Sequence, residues 1–305
     1  GMVALLTTAP GQFRARLAQL ELHRLRLTVA SEHLPRIAAM AAPAGTLLVS
    51  WPSRCGPAQV WGGVTLRAGE IVTTGPGRLV QIRTSGPCRW CRISLPAAEL
   101  GGYGRALKGA AFAVPHAMRC WRVPPAPFRR LSQLHEAAVR MTEERMEAGM
   151  DAATAHGLEQ QVIHALVDCL SGPADVAPAA EERHQEIIAD FAALVLARWR
   201  TDLPIGEICG ELGISARLLR LCCERHLGMS PACYVRLWRM HRVRRALQGA
   251  DPGSTGVAET ARRYGFGDHG RFSGNYRALF GELPSCTLRT PGLAASRVGR
   301  PGRRA

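Results

Sequence analysis

Two hydrophobic textures divide the chain. Over residues 13–123 apolar and polar positions alternate, as at Leu20 and Leu22, at Leu25, Leu27 and Val29, at Val80 and Ile82, and from Trp90 to Leu95. That is the period of a strand with one buried face. Gly and Pro clusters at 43–45, 62–63, 75–77 and 86–87 interrupt the runs, and short strands between such turns predict a small antiparallel barrel or sandwich. After Pro124-Pro125-Ala126-Pro127 the apolar spacing changes to three and four. It predicts helices over 128–146 and 152–170, the second with Leu158, Val162, Ala165, Leu166 and Cys169 on one side. The stretch SGPADVAPAA at 171–180 reads as a linker, and a further amphipathic helix is expected over 184–200.

The C-terminal third contains a repeat. VAETARRYGFGDHGRFSGNYRALFG at 257–281 reads as a helix stopped by Gly265, a cap at Asp268 and a second helix. Phe272, Tyr276, Leu279 and Phe280 make one face of that second helix. His269, Gly270, Ser273, Gly274 and Arg277 make the other. The plan recurs in IGEICGELGISARLLRLCCERHLG at 205–228, where Glu207, Gly213 and Gly228 match Glu259, Gly265 and Gly281 at an offset of 52 to 53. Pro231, Cys233 and Arg236 likewise match Pro284, Cys286 and Arg289. Ser215 caps this copy's second helix, with Leu219, Cys222, Cys223 and His226 facing inward and Arg217, Arg220, Leu221 and Glu224 outward. Between the copies, Ser230-Pro231 opens a helix that runs to Leu247. About 18 residues at ~1.5 Å each span ~27 Å, near the ~34 Å separation of successive major-groove faces. A helix pair with a glycine turn and a basic outward face is the helix-turn-helix pattern, here doubled.

On these motifs, and specifically on GFGDHGRF followed by YRALFG and LPS between Gly265 and Ser285, the segment 184–291 resembles the AraC/XylS transcriptional regulators. Through EHLP at 32–35 and TSGP at 84–87, the N-terminal half is similar to the branch of ethanolamine-utilisation regulators. The resemblance implies an α+β chain. A cupin-like sensor barrel occupies 1–127, a helical dimerisation segment 128–170 and a linker 171–183. A DNA-binding domain with two helix-turn-helix units follows at 184–291, then a basic tail at 292–305. It implies promoter or operator duplex DNA, RNA polymerase, a small-molecule effector and a second copy of the chain as partners. By motif position, Arg217, Arg220, Leu221, His269, Gly270, Arg271 and Gly274 correspond to base-reading places, and Ser215, Arg236 and Arg277 to phosphate contacts. The two sets are unequal, because Gly270 and Gly274 have no side chain to read with. Relatives often carry a long basic residue at the position of Gly274.

Charge adds to this. The net +15 comes from 39 basic against 24 acidic residues, Lys108 being the one lysine, and residues 236–305 hold fourteen arginines against four acids, a net +10. A GC-rich genome explains arginine in place of lysine but not this clustering, which fits a polyanionic partner. The ten cysteines are scattered, and Cys88 and Cys91 fall on opposite faces of one strand, so no zinc or redox framework is expected. The β half offers only His23, His33 and His116, without an HxH pair; no metal, cofactor or catalysis is therefore expected. Candidate effector-pocket residues are Trp51, Trp61, Arg83, Trp90, Arg92 and Trp121, with core packing as the alternative for each. The rival readings are a regulator whose β domain only dimerises or meets a protein, and an enzyme built on that domain with the helical half as scaffold. The apolar run near 187–197 is broken by Asp190 and falls short of the ~20 residues of a membrane span. No secretory signal is read, and a cytoplasmic address is expected. The tail RVGRPGRRA at 297–305 is expected to be disordered.

Overall fold

The computed structural model describes residues 2–53, 56–77, 79–144, 151–172, 174–175, 179–198, 204–253 and 255–290; the tail from 297 lies outside them. In chain order the strands are β1 (Met2–Thr7), β2 (Ala15–Glu21), β3 (Arg26–Glu32), β4 (Arg36–Ala41), β5 (Thr46–Pro52), β6 (Gln59–Trp61), β7 (Val64–Leu66), β8 (Glu70–Thr74), β9 (Leu79–Thr84) and β10 (Cys88–Pro96). Helix α1 (Ala97–Lys108), strand β11 (Arg119–Arg122), helices α2 (Pro125–Glu144) and α3 (Ala152–Leu170) and strand β12 (Ala174–Asp175) complete the N-terminal half. The strands pair into two antiparallel sheets, β1-β4-β9-β6-β7 and β12-β11-β8-β5-β10-β3-β2.

Alternation along each strand sets the layers. On the seven-stranded sheet Leu47, Val49, Cys91, Ile93, Leu27 and Ile71 face outward into a core closed by α1, α2 and α3. Leu48, Val72 and Cys120 face the other way and meet Met40, Trp61, Val80 and Ile82 of the five-stranded sheet. The outward face of that second sheet, Ala4, Leu6, Ile37 and Ala39, is apolar as well. The C-terminal helices cover it. The two sheets are tied at the turn from β3 to β4, where Arg36 Nε donates to Glu32 Oε2 at 2.6 Å and Trp90 Nε1 donates to Glu32 Oε1 at 3.1 Å. Both members of this ion pair are buried, so each depends on the other for compensation.

The C-terminal half is α4 (Ala179–Ala197), α5 (Ile205–Leu212), α6 (Ala216–Leu227), α7 (Pro231–Gln248), α8 (Val257–Arg263), α9 (His269–Phe280) and α10 (Pro284–Arg289). Helices α4 to α6 and the first half of α7 share one core with β1 and β4. The second half of α7 with α8, α9 and α10 builds another, from Met240, Val243, Leu247, Ala261, Phe272, Tyr276 and Phe280.

Four expectations change. Helix α1 interrupts the β half; its run AAELGGYGRALK is glycine-rich, and glycine weakens a helical pattern. Here a glycine is required, since the Phe112 ring occupies the place a Cβ on Gly104 would take. Residues 171–183 are not all linker, because Ala174 and Asp175 pair with β11 and α4 begins at Ala179, ahead of 184. An apolar strand, β1, precedes the alternating region. Finally, the apolar faces of α2 and α3, expected to be left for a dimer, are covered within the chain: Phe128, Leu131, Val162, Ile163, Leu166 and Val167 are buried in the core under the seven-stranded sheet.

Two buried histidines and the half-buried His241 should make the fold acid-sensitive. His135 Nε2 donates to the Arg92 carbonyl at 3.0 Å and His241 Nε2 to the Thr7 carbonyl at 3.0 Å, while His226 is buried beneath the five-stranded sheet. Burial holds all three well below 6.5, at about 4. The unfolded chain therefore binds more protons between these values. Stability is full above 6.5 and declines as pH falls toward about 4. Urea unfolding midpoints should drop between about pH 7 and about pH 5, and a midpoint unchanged over that interval would contradict the assignment.

Candidate nucleic-acid interface

Each C-terminal head is built by the same local chemistry. Helix α5 ends at Gly213, with φ of 63°, and α8 is followed by Gly265, with φ of 84°; both lie in the left-handed region that favours glycine. Past each turn the chain makes one matching bond, Ile214 N to Cys209 O in the first copy and Phe266 N to Ala261 O in the second, both 3.0 Å. The next helix is capped in each case. Ser215 Oγ accepts from Leu218 N at 3.2 Å and Asp268 Oδ1 accepts from Arg271 N at 2.9 Å. The linking helix α7 opens with Ser230 accepting from Cys233 N and with Pro231 at its first turn.

The outward faces of α6 and α9 are open. Arg217, Arg220, Leu221 and Glu224 are exposed on α6, and Leu221, at 52%, is among the largest exposed apolar side chains. Arg220 Nε donates to Glu224 Oε1 at 2.8 Å, one turn along. On α9, Gly270, Arg271, Gly274 and Arg277 are exposed, while His269 and Ser273 are half-buried. The inward faces are Leu219, Cys222, Cys223 and His226 on α6 and Phe272, Tyr276 and Phe280 on α9. Neither glycine of α9 is forced: its φ is not positive, and a Cβ on Gly274 would meet nothing within 4 Å. Arg236 donates to Cys233 Sγ at 3.6 Å on the exposed side of α7. Two further arginines of α7, which the motif did not single out, lie on aromatic rings: Arg242 over Trp238 and Arg244 over Phe280, the latter also bonded to Glu282 at 3.0 Å. Their spacing in RMHRVRRAL was visible, but not which arginines face the core.

Segment 190–290 matches the family described as a helix-turn-helix domain. Over 88 residues the chain is 40% identical to a probable thc operon regulatory protein of Rhodococcus erythropolis, covering 29% of this chain and 26% of that protein. Over 84 residues it is 42% identical to XylDLEGF operon transcriptional activator 1 of Pseudomonas putida, covering 27% and 25%. Residues 190–290 form a helix-turn-helix domain. The match spans about a quarter of each of these relatives. Two solved structures overlap loosely: the AraC-like transcriptional activator CuxR (TM-score 0.38, 17% identity, 75% of this chain and 80% of that one), and a probable AraC family regulator from Rhodopseudomonas palustris (TM-score 0.33, 29% identity, 35% and 97%).

The six candidate pocket residues of the β half do not converge. Trp51 packs edge-on against Phe128 and His135 under the helices, and Trp121 lies in the same core, donating to Thr73 Oγ1 at 3.0 Å. Trp61 lies between the sheets and donates to Gln59 at 3.2 Å. Arg83 points outward, its guanidinium against Gly228 of the first head. Trp90 and Arg92 line a cavity, about 770 Å³, together with Thr28, Ala30, Leu48 and Ser94 on the inward face of the seven-stranded sheet. There Arg92 stacks on Trp90 at 4.6 Å and donates to Ser50 Oγ at 3.1 Å. Burial, and after it the nearby Arg36, pull its pKa down to about 10, against the counter-effect of Glu32.

Replacing either α9 glycine by alanine should stabilise the fold by about 1 kcal/mol, since each site is helical and has room. Ser215→Ala and Asp268→Ala should each cost about 1 kcal/mol by removing a cap. Chemical denaturation of the four variants checks both signs.

Proposed function

We propose that the chain is a sequence-specific DNA-binding transcriptional regulator, with RNA polymerase and a second copy of itself as protein partners, working in the cytoplasm. The observation that carries this is the pair of capped turn-helix units whose outward faces stay open while their inward faces are buried. Both matched relatives are named as operon regulators. In this reading α6 discriminates. Arg217 and Arg220 can each donate two bonds to a guanine edge, and Leu221 can meet a thymine methyl. The exposed Glu224 partner costs Arg220 little to release. Helix α9 docks closely, with Gly270 and Gly274 admitting the backbone and Arg277 neutralising a phosphate; His269 and Arg271 reach the groove edge, and Ser215 and Arg236 add phosphate contacts at the first head.

The cavity beside Trp90 and Arg92 is the effector site in this reading. Arg92 is bonded there to a neutral hydroxyl, the Glu32 that also lines the cavity is engaged by Arg36, and Ala30, Leu48 and Trp90 lie alongside, which suits a small apolar molecule ending in an anionic or strongly accepting group. Thiol nucleophiles on this strand are disfavoured, since burial pushes Cys88 and Cys91 up to about 12, far from the nucleophilic thiolate.

The full chain should bind duplex DNA with log K falling by about 0.9 per log salt for each phosphate contacted. Arg217→Ala and Arg220→Ala should each flatten particular positions of a selected binding site, by ~1–3 kcal/mol of discrimination, whereas Arg277→Ala should weaken all sequences alike. Salt-independent binding, or a selected site that His269→Ala flattens and the α6 variants leave intact, would refute this division of labour.

A further inference from the structure

The seven-stranded sheet ends at β2, and among the described residues no strand pairs with the outer edge of β2. Its pairing with β3 runs unbroken from Ala15 opposite Glu32 to Glu21 opposite Arg26, so the edge carries no bulge. It holds no proline and no lysine either. Those are the devices that keep an edge strand from pairing with another chain. Ala15, Arg16, Leu17, Gln19 and Glu21 are exposed, whereas Ala18 and Leu20, on the other face, pack partly against the core that α2 closes. Leu17, at 55%, is the most exposed large apolar side chain among the described residues. Met2 and Val3, on the edge strand of the five-stranded sheet, are half exposed as well, and Met2 and Leu17 border one opening between the two sheets.

The order of charges along the edge narrows what pairs with it. Arg14 and Arg16 stand toward one end and Glu21 at the other. A strand laid antiparallel on β2 therefore fits best with an acid opposite the arginines and a base opposite Glu21, and β2 of a second copy has that order. A two-fold axis perpendicular to the sheet lays the strand on itself antiparallel and keeps each face continuous. Leu17, midway between Phe13 and Glu21, then falls at the axis, and Ala18 and Leu20 extend the layer beneath α2. Glu21 already meets Arg26 at 2.7 Å, but both are exposed, and an exposed pair is shared or given up at little cost. No competing surface is left on α2 and α3, whose apolar faces lie in the chain's own core.

We propose that two copies of the chain associate through β2, edge to edge and antiparallel about a two-fold axis near Leu17, so that the seven-stranded sheet continues from one copy into the other. Backbone bonds between the two edges make the contact, each Leu17 is covered by the other copy, and the arginines of one edge lie toward Glu21 of the partner subunit. The inference rests on the reading that a second copy is a partner and names the surface it uses. DNA recognition by the heads does not depend on it.

The test sediments the full chain, without DNA, over about 1 to 100 µM, where a dimer should form. Leu17→Glu should raise its dissociation constant about tenfold or more, because it sets two carboxylates side by side at the axis. Arg16→Glu and Glu21→Arg should each weaken association, and the two together should recover it, a recovery that a purely structural role would not give. Leu17→Cys should form an interchain disulfide under copper-catalysed air oxidation, beyond the level of the unsubstituted chain. Leu107→Cys and Leu283→Cys, at exposed sites elsewhere, should not. The charge reversals and the cross-link carry the test should Leu17→Glu fail to fold. A chain that stays monomeric to about 100 µM, as it would if the edge took a peptide of another protein, would overturn this proposal and the second-copy partner together and leave DNA binding standing. A dimer that Leu17→Glu and the charge reversals leave intact, or one that Leu107→Cys links as readily as Leu17→Cys, would overturn the proposal alone.

Discussion

The five-stranded sheet has two apolar faces, and one partner sheet can cover only one of them. Ala38 and Met40 of β4 turn toward the sandwich interior while Ile37 and Ala39 turn away from it. That outward face has to be kept from water, and α4, α6 and the start of α7 do so with Ile188, Phe191, Leu219, Cys223 and Tyr234. The first head is thus an outer layer of the β domain as well as half of the helix-turn-helix domain. The Glu32–Arg36 pair supports this arrangement from within, since it holds the corner at which the chain passes from one sheet to the other.

The same constraint explains how the two repeats diverged. At an offset of 53, Leu219, Cys223 and Leu227 match Phe272, Tyr276 and Phe280, and all six are buried. Cys222 and His226 match Asn275 and Leu279; the first pair is buried, whereas Asn275 is exposed and Leu279 half-buried. The difference follows from what lies against each helix. Helix α6 has a sheet beyond it, and α9 has α8 and α10 beside it. A duplicated unit kept its turn, cap and core positions and changed its outer wall to suit its neighbour.

Turns, caps and both heads were legible from the sequence because they depend on local chemistry: glycine for a left-handed turn, Ser215 and Asp268 for caps, period 3.6 for a face. The same holds for α3 and α7, whose patterns are long. Helix α1 was hidden because its glycines, needed for packing against Phe112, mask its periodicity. Strand β4, buried on both faces, has no alternation to read. The pocket residues were half legible. Tryptophan and arginine mark chemistry, but which side of a sheet each occupies depends on register, and register separates Trp90 from Trp51 although both are strand tryptophans.

Helix α7 contributes its first half to one core and its second half to the other, with the changeover between Trp238 and Met240. The mechanical seam of the molecule therefore runs through the middle of a helix, not through the stretch where β texture gives way to helices. Exchange of parts between relatives is constrained accordingly. The second head can be traded as a cassette with the latter half of α7, whereas the first head can be traded only with the outward face of β1 and β4 that fits it, so drift in either surface has to be answered in the other.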